Sequence, residues 1–264
     1  MRFSKPKVGI IGGTGSMGSW FADFLERLGI EVFRVGRKTD ITPVEAARQC
    51  DIVVISVPIA DTVGVIREIG PLVSEEKLLM DLTSIKKEPT QAMLEYSRAE
   101  VVGLHPLFGP DVTSGLSLRI AVCPGRGETG LNWLLKIFRD SKFGVTILSA
   151  EEHDRIMGLI QGVNHFSTIA LALTISRSGL DLKDLENCST QTFKHRLDRI
   201  RSILVQPEEL FESLLIDNTH AGEYIDQYLQ SVSELSKVTG RKDKKAFGDI
   251  FHMLRDVFMT RNAN

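Results

Sequence analysis

At 264 residues, 42% of them hydrophobic, the chain has room for one large or two modest domains with real cores. A net charge of −2 gives no electrostatic basis for partnership with nucleic acid or an acidic membrane surface. No single apolar run approaches the roughly 20 residues of a membrane span, which argues against a membrane protein.

The opening MRFSKPKVGI reads as the approach to a first strand and lacks a signal-peptide core, so a soluble, cytoplasmic protein is expected. Short β-branched runs follow at residues 7–12, 31–35, 51–58, 77–82, 100–104, 119–123 and 145–148, separated by helical stretches. That alternation predicts βαβ units and a mostly parallel sheet. Cys50, Cys123 and Cys188 lie far apart without a CxxC pair, so neither a disulfide framework nor a metal site is expected. After Leu148 the strand runs cease. Residues 149–152, SAEE, resemble a capping box, and 153–177 predict one long helix whose face of Ile156, Ile160, Val163, Ser167, Ala170, Leu171 and Thr174 is polar at only two places. The expected fold class is therefore α/β: an N-terminal Rossmann-like, doubly wound sheet over residues 1–150, then an all-helical domain over 151–264.

Directly after the first strand, GTGSMG places Gly13, Gly15 and Gly18 in GxGxxG spacing at the start of a helix, with Thr14, Ser16 and Met17 between them. Gly13 is expected to make the tight turn, Gly15 to let backbone approach a pyrophosphate, and Gly18 to let helix and strand pack closely. A nicotinamide dinucleotide is the expected cofactor. The second strand ends Val35-Gly36-Arg37-Lys38, where a site for NAD usually carries a carboxylate. Gly36 and Arg37 suit the 2′-phosphate of NADP better, the competing reading being a solvated basic turn. Later strand ends complete the same rim: Ser56-Val57-Pro58, Asp81 to Ser84, and Leu104-His105-Pro106. Pro106 keeps His105 extended at its strand end. Parallel strands would bring His105 to the cofactor edge, with Ser84 able to hydrogen-bond it and set its tautomer.

The segments IIGGTGSMG, ISVP, MDLTSIKKEP, GLHPLFGPD, EEHDRIMGLIQGVNHFSTIALAL and IRSILVQPEELFESLLIDN together resemble the prephenate dehydrogenases of tyrosine biosynthesis, in order and nearly end to end. The resemblance implies a helical second domain that dimerises, and oxidative decarboxylation of prephenate to 4-hydroxyphenylpyruvate with NADP or NAD as hydride acceptor. It casts His105 as the base at the substrate hydroxyl and Ser84 as the serine that orients it. It places Gln161 and His165, four apart on the long helix, in the substrate pocket. An arginine near FKHRLDRIRS is expected to clamp a substrate carboxylate, Arg199 first and Arg201 second, with a solvated basic helix face as the competing reading. The substrate could equally be arogenate, and the chain could be part of a longer fused polypeptide. Two other functions remain open on sequence alone. One is a different Rossmann oxidoreductase, a deazaflavin-dependent NADP reductase or a β-hydroxyacid dehydrogenase, which does not account for LHPLFGPD. The other is a non-catalytic dinucleotide sensor, which would need no ordered base at residue 105.

Overall fold

The computed structural model describes residues 3–110 and 118–259; Asp111, the last residue of the LHPLFGPD motif, lies outside them. Seven strands form one sheet: β1 (Lys7–Ile11), β2 (Glu31–Val35), β3 (Ile52–Ile55), β4 (Leu78–Asp81), β5 (Glu100–Pro106), β6 (Arg119–Arg126) and β7 (Gly144–Ile147). They lie in the order β2-β1-β3-β4-β5-β6-β7. Every neighbouring pair is parallel except β5 and β6. All seven strands fall where the β-branched runs predict them. The fifth and sixth run further than predicted, so His105 sits inside β5, opposite Ala121, rather than just beyond it.

Period-two alternation divides the strand side chains between two cores. On one face Val8, Ile10, Ile52, Val54, Leu78, Met80, Val102 and Leu104 meet Phe21, Phe24 and Leu25 of α1 (Ser16–Arg27) and Leu134 and Phe138 of α5 (Thr129–Asp140). On the other, Ile11, Val53, Ile55, Leu79 and Val101 meet α2 (Pro43–Gln49), α3 (Ile59–Ile69) and α4 (Lys87–Tyr96) through Ala46, Ala47, Ile66, Ile69, Ala92 and Met93. With both faces covered, the central strands must be apolar throughout, which is why they read as continuous hydrophobic runs.

The rest is helical: α6 (Ala150–Met157), α7 (Asn164–Arg177), α8 (Leu182–Asn187), α9 (Gln191–Leu204), α10 (Glu208–Glu212), α11 (Ala221–Gly240) and α12 (Lys244–Met259). Ser149 caps α6, its hydroxyl accepting from the Glu152 amide at 3.1 Å. The predicted long helix does form, but it is not uniform. A π-helical turn, Gly158–Val163, joins α6 to α7, and a second, Ser213–Asp217, follows α10. Gly158 and Gly162 lie in the first: a Cβ on Gly158 would lie 3.0 Å from the His220 carbonyl carbon, and one on Gly162 3.1 Å from Ala221 Cβ. Both glycines admit the start of α11 against this turn.

The long helix also corrects the expectation about apolar runs. Ala150–Arg177, 28 residues, is long and apolar enough by length and composition to cross a membrane, although only 22% of its most apolar window is buried within the chain. Ser, Thr, Gly and His interrupt the apolar residues along the sequence, yet the window still averages a mean hydropathy of 1.4. Its predicted apolar face is at most half-buried in one chain, and Ile160 is exposed. The face that packs within the chain instead carries His153, Asp154, Met157, Gly158, Gly162 and His165.

Candidate active site

The sheet order reverses between β1 and β3, and ligands of open α/β sheets bind where the order switches, at the carboxyl ends of the strands. There the glycine loop crosses. Its turn residue is Gly12, with φ +85, not Gly13: a Cβ on Gly12 would sit 2.2 Å from the Ser56 carbonyl oxygen. The GxGxxG spacing gave that role to Gly13, which is needed instead for packing, since its Cβ would lie 2.7 Å from the Ile10 oxygen and 3.0 Å from Arg34 Cα. Gly18 packs against the loop itself, 2.3 Å from the Gly12 oxygen on the same test. Gly15 precedes α1 without a capping side chain, and the first turn holds no acidic residue. Thr14, Gly15 and Ser16 are exposed and Met17 is half-buried. The free N–H groups of that turn therefore suit an anion, and the glycine cradle fits the pyrophosphate of a dinucleotide.

Neighbouring strand ends line the same edge. Ser56 is bonded through its amide to the Ile11 carbonyl at 2.7 Å, Val57 is half-buried, and Pro58 begins α3. Gly36 follows β2 and touches Thr14, whose Oγ1 lies 2.4 Å from where a Cβ at 36 would be. Arg37 and Lys38 are exposed and form no ion pair among the described residues. Arg34, by contrast, is committed to α1, bonding Ser19 at 3.0 Å and Glu26 at 2.7 Å and pairing with Asp23.

His105 is buried at the end of β5. Its Nδ1 lies 2.9 Å from Nε2 of His153, and Nδ1 of His153 lies 2.7 Å from Oδ1 of Asp154. Asp154 comes from α6, yet its carboxylate caps α4: Oδ1 accepts from the Lys86 amide at 2.8 Å and Oδ2 from the Lys87 amide at 2.9 Å. Asn218 donates to the Asp154 carbonyl at 3.0 Å. The Lys86 side chain turns into the sheet, where its ammonium pairs with Asp81 and donates to the Leu104 carbonyl at 2.9 Å, next to His105. Burial, with the nearby His153 and Lys86, holds the His105 imidazole well below the ordinary histidine range and so keeps it neutral.

This arrangement corrects one assignment and adds three residues. Ser84 makes no hydrogen bond to His105; the partner of Nδ1 is His153. The bend after β4 is instead fixed by Thr83, whose amide donates to Asp81 at 3.0 Å and whose hydroxyl lies within hydrogen-bond reach of Asp81 and, at 2.8 Å, of the Ile85 carbonyl, and Ser84 is left half-buried beside it. His153, Asp154 and Lys86 were missed as site residues. Their only sequence signals were the HD pair in EEHDRIM and the KK pair in TSIKKEP, both within segments that carry the family resemblance.

Along the same helix, Gln161 lies in the π turn and His165 in the first turn of α7. Gln161 Oε1 and His165 Nδ1 are buried without a hydrogen-bond partner among the described residues, and the His165 ring stands edge-on to Phe211 at 5.1 Å. Burial and the charge of Arg199 lower the His165 pKa. Two residues apart on α9, the two arginines start from nearly opposite faces of the helix. Arg199 has no ion-pair partner among the described residues, whereas Arg201 is engaged by Glu186 and, at 3.3 Å, by Asp198.

A family model described as the prephenate dehydrogenase nucleotide-binding domain matches residues 30–118, and one described as the prephenate dehydrogenase dimerization domain matches 149–253. A T-protein of Haemophilus influenzae is 32% identical over 96% of this chain and 67% of its own length. The chain belongs to the prephenate dehydrogenase family. A probable arogenate/prephenate dehydrogenase of Methanocaldococcus jannaschii is 31% identical over 94% of this chain, which spans 60% of that relative. Among solved structures, prephenate dehydrogenase from A. aeolicus in complex with hydroxyphenyl propionate and NAD+ shares the fold at a TM-score of 0.79, with 19% identity and 98% of each chain covered. The prephenate dehydrogenase family is thus an oxidoreductase family of aromatic amino acid biosynthesis, with a nucleotide-binding half and a dimerization half. The glycine loop lies just N-terminal to the first matched segment, so its assignment rests on its own geometry.

Proposed function

We propose that this chain oxidatively decarboxylates prephenate to 4-hydroxyphenylpyruvate, using NADP+ at least as well as NAD+, with His105 as the general base. The observation that carries this reading is the neutral, buried His105 imidazole at the end of β5. Its Nδ1 is engaged and its Nε2 makes no hydrogen bond among the described residues. The glycine loop ends β1 on the same edge of the parallel strands.

When bound, the nicotinamide ring accepts hydride from C4 of the substrate. His105 takes the proton of the 4-hydroxyl as the C4–H bond breaks, so a carbonyl forms at C4. The C1–carboxylate bond then breaks, CO₂ leaves, and its electron pair aromatises the ring and arrives on the C4 oxygen, which recovers the proton from His105. Prephenate is a dianion, and the unpaired Arg199 guanidinium beside His165 supports a carboxylate clamp there, in preference to the occupied Arg201. The orphaned Gln161 Oε1 and His165 Nδ1 suit polar substrate atoms in the same place. Ser84, close in sequence to Asp81 but not bonded to His105, is assigned to the substrate and nicotinamide end rather than to orienting the base. The proposed domain limits remain 1–150 and 151–264, and a cytoplasmic location is part of the same reading.

The test crosses prephenate and arogenate with NAD+ and NADP+ in a steady-state assay of reduced nicotinamide. Turnover is expected with prephenate and NADP+; no turnover with either substrate would refute the reading. Arg37 can make two hydrogen bonds to a 2′-phosphate, an advantage of about tenfold to hundredfold in affinity. Gly36→Asp with Arg37→Ala should therefore shift preference towards NAD+. Thr14→Ala is included, alone and in combination, because an Asp at 36 needs the space of the Thr14 hydroxyl. A kcat/KM for NAD+ far above that for NADP+ in the unmodified chain would contradict this assignment.

We assign the working form as a homodimer. Among the residues of α12 none is buried, although Phe247, Phe251, Leu254 and Phe258 recur along one face. Leu173 of α7 and Leu229, Val232 and Leu235 of α11 are also exposed. Apolar faces of this extent require a partner surface, and the matched dimerization domain supplies the reason. Light scattering should give twice the 29.4 kDa chain mass at micromolar concentration; a stable monomer would contradict it.

A further inference from the structure

His153 and Asp154 belong to the helical half, and the base they touch belongs to the sheet. We propose that His153, held by Asp154, is the positioning residue that fixes the tautomer of His105, so that the helical half completes the base of the nucleotide-binding half. This rests on the reading of His105 as the base.

The argument is one of donors and acceptors. Both Asp154 oxygens already accept backbone N–H groups, from Lys86 at 2.8 Å and Lys87 at 2.9 Å, at the start of α4. A carboxylate in that position is an acceptor only, so the 2.7 Å contact to His153 Nδ1 is an N–H donated by the ring. A ring whose single hydrogen is the one on Nδ1 has a lone pair on Nε2. That atom lies 2.9 Å from His105 Nδ1, which must therefore be the donor. His105 then carries its lone pair on Nε2, the nitrogen with no partner among the described residues. The opposite tautomer would set two lone pairs, or two hydrogens, against each other at 2.9 Å. The rings stand edge to face at 71°, and His153 is fully buried, so water does not compete for the bond. The titratable groups bonded to His153 among the described residues are Asp154 from α6 and His105 from β5. The Lys86 ammonium is occupied by Asp81 and the Leu104 carbonyl and makes no bond to either ring.

A purely structural role, filling the joint between the two halves, would depend on ring volume and not on the Nε2 lone pair. His153→Phe keeps the ring and removes the acceptor, whereas His153→Gln places an amide oxygen near the position of Nε2. In the full chain with prephenate and NADP+, His153→Phe is expected to lower kcat about 10- to 100-fold with KM little changed, as for a lost outer hydrogen-bond partner. His153→Gln should restore most of it. Full kcat in the Phe variant, or equal impairment in both with wild-type folding, would overturn the proposal. If His153→Phe fails to fold, ¹⁵N NMR of the unmodified protein decides: a protonated Nδ1 and bare Nε2 on His105 are expected, and the reverse would overturn it. The NMR result stands apart from substrate identity. Absence of turnover with prephenate would remove the reading of His105 as base, while the tautomer measurement would still decide the hydrogen-bond order.

Discussion

His105→Asn should fold, bind cofactor and lose most of kcat, by roughly 10²–10⁴-fold, the usual contribution of a general base. Asn is close in size to the imidazole and offers an amide for His153, but its oxygen does not take a proton from a hydroxyl. KM for prephenate should change little, because the proposed contact is made to the proton in flight and not to the substrate carboxylates. Ser84→Ala should have a smaller effect, since His153 and not Ser84 bonds the base. A second consequence is in stability. Burial lowers the His105 pKa below its ordinary value of 6.5, so just below that pH the unfolded chain binds a proton that the folded chain does not. Stability should therefore fall on acidification from 6.5 down to the folded-state value, and His105→Asn should flatten that part of the profile. Full activity in the variant would remove His105 from the mechanism.

Lys86→Met is expected to be strongly destabilising. The Lys86 ammonium and the Asp81 carboxylate are both fully buried, and once its partner is gone the acid keeps only Thr83 as a donor among the described residues, with no counter-charge. Breaking one side of such a pair costs roughly 3–5 kcal/mol. For a chain of this size that corresponds to a melting temperature lower by roughly 6–20 °C. Adding Asp81→Asn removes the stranded charge and should recover much of the loss. The variant also tests the placement of the site, because Lys86 ties the Leu104 carbonyl, next to His105, to the start of the helix that Asp154 caps. Calorimetry showing an unchanged melting temperature for Lys86→Met would mean that the pair contributes nothing.

What the sequence revealed and what it hid have the same physical cause. Strands buried on both faces must be apolar at every position, so runs such as IVVI and LLMD announced themselves, and the glycines announced the loop. Local spacing does not report which residues meet across the fold. His105 and His153 are 48 residues apart and Lys86 and Asp154 are 68 apart. Nothing in the neighbourhood of Asp154 or Lys86 along the chain therefore marks either as a partner of the site. Helical periodicity assumes 3.6 residues per turn, so the π turn at Gly158–Val163 was invisible, although its two glycines were in view. The apolar face of the long helix was legible as apolar, and within one chain it is at most half-buried, with Ile160 exposed. Gly12 was passed over because the GxGxxG pattern begins one residue later.

The most direct test is the pH dependence of kcat/KM for prephenate in the unmodified enzyme. A neutral His105 whose pKa is held below the ordinary histidine value predicts turnover with an acid limb below pH 6.5 that disappears in His105→Asn. An acid limb above 6.5, or one that persists unchanged in that variant, would contradict a buried neutral histidine as the base.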